Sequence, residues 1–284
     1  MIRYLSIFWD GLKLFNRTNS LTSAAAISFY AFFSLIPIML LVTASLGFIM
    51  GAKAGLLERV IGMIREYLPY LSDRLIGDVR GITTDWKKIG WLGAITLVWS
   101  ADFVLEAMAE SLTKIFGTEK KFGFLRRKVV NLFILLIGVL CALASIIMTA
   151  AAILLKKFHL KFFPMNVFYQ YIQSFTFEVL IPFFLVALVV AVVFRAFSGP
   201  HLDFKHAFYG SIFFSALWEA AKHVFAWYVS NFPSYNKVYG SLGALMLLLI
   251  WMFYSANLLL LSASVARAAY ERSGAGQVRK GGKT

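Results

Sequence analysis

LTSAAAISFYAFFSLIPIMLLVTASLGFIMG, Leu21–Gly51, is the stretch whose reading decides the fold class. It contains no Asp, Glu, Lys or Arg. At a rise of about 1.5 Å per residue it exceeds the ~20 residues that cross the hydrocarbon core of a bilayer. Ala24, Ala25 and Ala26 are small enough to let a neighbouring helix approach closely in lipid. Pro37, near the middle, removes one backbone donor at membrane depth. The stretch therefore reads as a packed, interrupted helix rather than a plain anchor.

The rest of the chain has the same character. Of its 284 residues 60% are hydrophobic, 17% aromatic and 15% charged, and the mean hydropathy is +0.75. Soluble chains carry nearer 25% charged residues, so this is a membrane composition. The net charge of +14 sits mostly in connections and in the C-terminal segment. There it fits orientation and anionic lipid headgroups better than nucleic acid, which is not expected as a partner. The one cysteine, Cys141, excludes an intrachain disulfide.

Ahead of the opening span, residues 1–18 place Leu5, Phe8, Trp9 and Leu12 at helical spacing between Arg3, Asp10 and Lys13. This is the pattern of an amphipathic helix in the headgroup plane, not of a cleavable signal. Asn19 or Ser20 then caps the first span.

Beyond the first span, the periodicity from Lys53 to Lys88 predicts two short amphipathic extracytoplasmic helices on either side of Pro69. Apolar runs place the six spans near 21–51, 89–109, 129–155, 171–194, 207–230 and 241–266. The whole is an all-α, polytopic membrane domain over residues 1–270, with a basic, disordered cytoplasmic tail at 271–284. Six spans put both termini on one face. Sixteen Lys and Arg fall on that face against eleven on the other, which predicts cytoplasmic termini. Spans one to three can be laid over spans four to six, matching Leu35-Ile36-Pro37 to Leu180-Ile181-Pro182. Three spans per half would make this a 3+3 inverted repeat, common among secondary transporters.

No phosphate-binding loop, zinc-protease motif or nucleophile elbow occurs in the sequence. The chain is not expected to be an enzyme or to need a cofactor or metal, and His201, Asp203 and His206 read as a polar connection. The informative residues are the intramembrane charges: Asp102, Glu106, Glu178, Glu219, Lys222 and His223. A charge at mid-bilayer costs at least ~2.5 kcal/mol, so it faces protein or water and takes a partner. One reading is structural, with Glu219 and Lys222 forming a local pair at i,i+3. The other is a polar cavity lined by all six. Pro37 and Pro182 likewise either shape packing or bend helices around a substrate path.

Three stretches resemble the YihY/virulence factor BrkB membrane proteins, once catalogued as "ribonuclease BN". SAAAISFYAFFSLIPIMLL carries the family-like Ala25, Tyr30, Ser34 and Pro37. LWEAAKHVFAWYVSNFPSYNKVYGSLGALMLLLIWMFYSANLLLLSA carries Trp218, Lys222, Phe225, Tyr228, Tyr239, Gly240 and Trp251. WSADFVLEAMAESLTKIFG is similar more loosely. Where members often have Gly-Ala-Glu, this chain has Ser262-Ala263-Ser264, so no carboxylate role carries over there. The resemblance implies a six-helix bacterial inner-membrane protein without a settled activity. A transporter or flippase-like exporter of a small amphiphile or lipid is the first expectation. A non-transporting envelope scaffold that binds anionic lipid is the alternative, and the oligomeric state is left open.

Overall fold

The computed structural model describes residues 2–52, 85–118, 124–157, 176, 180–199, 202–231 and 242–273. Among them every regular element is a helix: α1 (Ile2–Arg17), α2 (Ser20–Phe33), α3 (Leu35–Ala52), α4 (Trp86–Phe116), α5 (Phe124–Lys157), α6 (Ile181–Ser198), α7 (Phe204–Asn231) and α8 (Leu242–Arg272). Among the described residues four stretches are long and apolar enough to cross a bilayer: Ser20–Ile49, Trp86–Phe116, Ile181–Ser198 and Leu245–Arg272. The expected helices after Lys53, together with Glu178, Tyr239 and Gly240, lie outside the described residues.

The helices fall into two compact units, divided between Ser28 and Phe29 and again between Val104 and Leu105. In the unit formed by residues 29–104, α3 lies close against the first half of α4. A Cβ placed on Gly93 would stand 3.1 Å from Leu40 Cβ and 3.2 Å from Leu41 N, and one on Gly90 3.4 Å from Ala44 Cβ. Small residues hold these helices together because lipid gives no hydrophobic drive between them, leaving van der Waals contact as the main attraction.

The opening span is interrupted where its proline requires. α2 ends at Phe33, Ser34 is a turn, and α3 resumes at Leu35. In a continuous helix Pro37 would clash with the carbonyl of Phe33, four residues earlier, and could not donate to it. Breaking at Ser34 moves Pro37 into the first turn of α3, where a missing N–H costs little. The Ser34 hydroxyl donates to Ala31 O at 2.6 Å, and Ile38 N donates to Ser34 O at 3.3 Å. Pro182 likewise stands in the first turn of the described α6, after Leu180 with helical φ −68° and ψ −47°.

The other unit has its core where α1, the start of α2, the end of α4, α6, α7 and α8 converge. Ala24, Leu112, Phe116, Phe194, Phe197, Leu202, Leu260 and Ala263 are buried there. Two glycines set its closest approaches. A Cβ on Gly11 of α1 would lie 2.9 Å from Val265 Cα of α8, and one on Gly210 of α7 2.6 Å from Ala266 Cβ. α1 thus packs one side onto α8 and leaves Leu5 and Trp9 exposed.

Three boundaries differ from expectation. α4 continues to Phe116 rather than ending near Ala109, because Leu112, Ile115 and Phe116 are core residues. It stops at Gly117, φ +68°, where Gly117 N donates to Lys114 O and Thr118 N to Thr113 O. That is the glycine-terminated Schellman arrangement. α8 runs to Arg272, so residues 271 and 272 are helical rather than tail; Tyr270 is buried and Arg272 is tied to Asp10. Phe204–His206 already belong to α7, with Asp203 O accepting from His206 N and Ala207 N, both at 3.0 Å.

Candidate functional site

α7 brings three of the expected site residues together. Glu219 and Lys222 lie one turn apart, and Lys222 Nζ is 2.7 Å from Glu219 Oε2. His223 Nε2 is 3.7 Å from the other carboxylate oxygen. The local pairing follows from i,i+3 and i,i+4 spacing alone. The groups differ in exposure: Glu219 keeps 21% of its side chain accessible, Lys222 37% and His223 80%. The carboxylate is therefore the sheltered member, and Lys222 and His223 are the more exposed ones.

An aromatic platform carries the pair. Lys222 Nζ sits 5.3 Å from the Trp218 ring centroid, a cation–π contact that offsets part of the ammonium's desolvation. Trp218 stacks on Phe214 at 6.2 Å, lies 6.2 Å from Trp251, and donates its indole N–H to Ser255 Oγ at 3.3 Å. Phe225 approaches Trp251 at 4.9 Å. Trp218 thereby joins Lys222 of α7 to Trp251 and Ser255 of α8. Sequence reading singled out Trp218 but not Ser255; a small polar residue in an apolar run was the available signal.

The carboxylates of α4 have their own surroundings. Glu106 Oε2 accepts from Asn131 Nδ2 at 3.4 Å and lies 3.5 Å from Lys128 Nζ, both on α5. Asn131 is buried, a partner that sequence reading missed. Glu110 pairs with Lys114 at 2.7 Å on an exposed face. Asp102 is half-buried on the part of α4 that belongs to the other unit. In that unit Tyr30 stacks on Phe103 with centroids 5.7 Å apart and planes 21° from parallel. Of the other motif positions, Ala25 is exposed and Tyr228 half-buried.

A second polar locus lies at the start of α7. His206 packs edge-on to Tyr270 of α8 at 5.3 Å, and its Nδ1 is buried without a hydrogen-bond partner among the described residues. Burial holds its pKa below the ordinary 6.5, against the pull of Asp203 and with a smaller push from Lys205. Nearby on α8, Ser262 and Ser264 are fully buried, and Ser264 donates to Leu260 O at 2.9 Å.

Residues 12–283 match the family described as virulence factor BrkB. The chain belongs to that family. Several of its relatives are named as membrane proteins. A UPF0761 membrane protein of Glaesserella parasuis is 29% identical over 72% of this chain and 66% of its own length. One of Azotobacter vinelandii is 26% identical over 91% of this chain and 62% of its own length. The chain thus spans somewhat less than two thirds of these two BrkB relatives. A further one, the putative ribonuclease-like protein YfkH of Bacillus subtilis, is 23% identical over 76% of this chain and 78% of its own. No solved structure matches. With apolar helices of spanning length, this membership makes the chain a membrane protein.

Proposed function

We propose that this BrkB-family protein is a six-span bacterial inner-membrane transporter or flippase-like exporter of a small amphiphile or lipid. In this reading both termini are cytoplasmic, the two halves form an inverted repeat, and the protein is not a ribonuclease. The observation that carries it is the Glu219–Lys222–His223 group: charges within an apolar 28-residue helix, with Lys222 and His223 the more exposed members. Lipid would not tolerate an exposed ammonium and imidazole at that depth, so this face of α7 borders water or a polar ligand. The Trp218 ring beneath Lys222 supplies an apolar surface beside the charge, the combination an amphiphile needs.

The test is translocation of a fluorescent short-chain phospholipid in proteoliposomes. Protein-dependent movement that falls at least tenfold in Glu219→Gln and Lys222→Met supports the reading. Movement no faster than in empty liposomes, across zwitterionic and anionic probes, overturns it.

A further inference from the structure

We infer that the cleft between α1 and α8 binds the phosphate of an anionic glycerophospholipid headgroup. This goes beyond the transport reading and holds whether or not the protein translocates anything. The cleft has a volume of roughly 270 Å³ and is walled by Asp10, Lys13 and Arg17 of α1 and by Glu271 and Arg272 of α8. Its carboxylates are already engaged. Asp10 accepts from Arg272 Nε at 2.7 Å, and Arg272 also reaches Ser6. Glu271 is held by Arg267, with Nη2 at 3.0 Å and Nε at 3.1 Å. Lys13 and Arg17 make no ion pair or hydrogen bond among the described residues, and both are exposed. Two uncompensated cations one turn apart beside a concave wall are a site for an anion, and the guanidinium fork suits a phosphate.

The same face of α1 tells which anion. Leu5, Trp9, Lys13 and Arg17 follow one another at four-residue intervals, so they form a single row. Leu5 is 73% and Trp9 58% exposed. An indole and a leucine in line with two cations present acyl chains with apolar surface and the headgroup with charge. A polynucleotide or a free anion would satisfy Lys13 and Arg17 and leave Leu5 and Trp9 in water. α1 is held for this task, since Gly11 seats it on Val265 and Arg272 clasps Asp10.

The experiment uses the full chain in nanodiscs of phosphatidylcholine with and without phosphatidylglycerol. Lipid retention is read by native mass spectrometry and stability by thermal unfolding. Wild type should retain phosphatidylglycerol over phosphatidylcholine and unfold at a higher temperature with it. Each cation near an anionic surface contributes enough that Lys13→Gln with Arg17→Gln should weaken retention by roughly tenfold or more. Lys205→Gln, an exposed cation on α7, should change nothing. The charge-preserving swap of Lys13→Arg with Arg17→Lys should retain the lipid, which separates charge loss from misfolding. Undiminished retention in the double glutamine variant overturns the inference. So does equal protection of the phosphatidylcholine form by inorganic phosphate, which would make this a site for a soluble anion.

Discussion

Gly210 illustrates how little space separates α7 from α8. A methyl group there would overlap Ala266 Cβ at 2.6 Å and press on the Phe194 ring at 3.3 Å. Gly210→Ala should therefore destabilise the detergent-solubilised protein by about 1–3 kcal/mol, the usual range for overpacking. Gly138→Ala on α5, where no described residue outside its own turn lies within 4 Å, should be neutral or raise stability by up to ~1 kcal/mol through helix propensity. Thermal unfolding of both variants in one detergent decides this, and equal effects would refute the close-approach argument. His206 gives a pH prediction. Its folded pKa is lowered by burial, so the fold binds that proton less readily than the unfolded chain does. Its contribution is complete above the unfolded value of about 6.5 and is lost as pH falls from there through the folded pKa. Midpoints measured between pH 7.5 and pH 5 should fall more steeply for the native chain than for His206→Asn. Of these residues the sequence displayed the charges and histidines openly, because ionisable side chains in apolar runs are conspicuous. The glycines were not legible: a glycine's importance depends on which residue stands opposite, and Val265 and Ala266 are more than fifty positions from Gly11 and Gly210 respectively.

The interruption of the opening span follows from local chemistry and is legible in the sequence. Pro37 predicts a break, and the break occurs at Ser34 because that position returns the proline to a first turn. Pro37→Ala restores a donor for the Phe33 carbonyl and removes the ring clash, so a continuous helix becomes the lower-energy path. Hydrogen exchange of the amides from Ser34 to Ile38 should slow by roughly tenfold, the scale of one recovered backbone bond. Unchanged exchange would mean that tertiary contacts, not Pro37, hold the turn. Helix ends set by packing were harder to see. α4 passes its expected end near Ala109 by seven residues because Leu112 and Phe116 have a core to enter, whereas apolar counting registers only the charges at Glu110 and Lys114. The Gly117 stop signal was present, but it lay inside a segment that its charges made look like a loop. Likewise Asn19 takes φ +52° between α1 and α2, a conformation that asparagine tolerates better than other non-glycine residues. It served as a cap candidate from the sequence, while the left-handed turn itself was not foreseen.

For the whole molecule, composition established a helical membrane protein, since a mean hydropathy of +0.75 leaves few other options. What composition conveys poorly is which helices touch lipid. α7 holds Glu219, Lys222 and His223, so its place depends on neighbours that only tertiary structure supplies. Orientation is a different matter, because it is decided by charge in the connections during insertion. The basic residues from Lys114 to Lys128 supply six of the sixteen Lys and Arg on the proposed cytoplasmic face. Replacing Lys120, Lys121, Arg126 and Arg127 by Gln leaves twelve against eleven, almost no bias. Fusing alkaline phosphatase or green fluorescent protein after Thr284, which keeps every counted residue, reads the outcome. The native chain should give fluorescence and no phosphatase activity, since phosphatase folds only outside the cytoplasm. The neutralised chain should give a mixed population with both signals. Phosphatase activity from the native fusion would reverse the orientation, and would then put the Lys13–Arg17 cleft against the outer leaflet of the same membrane.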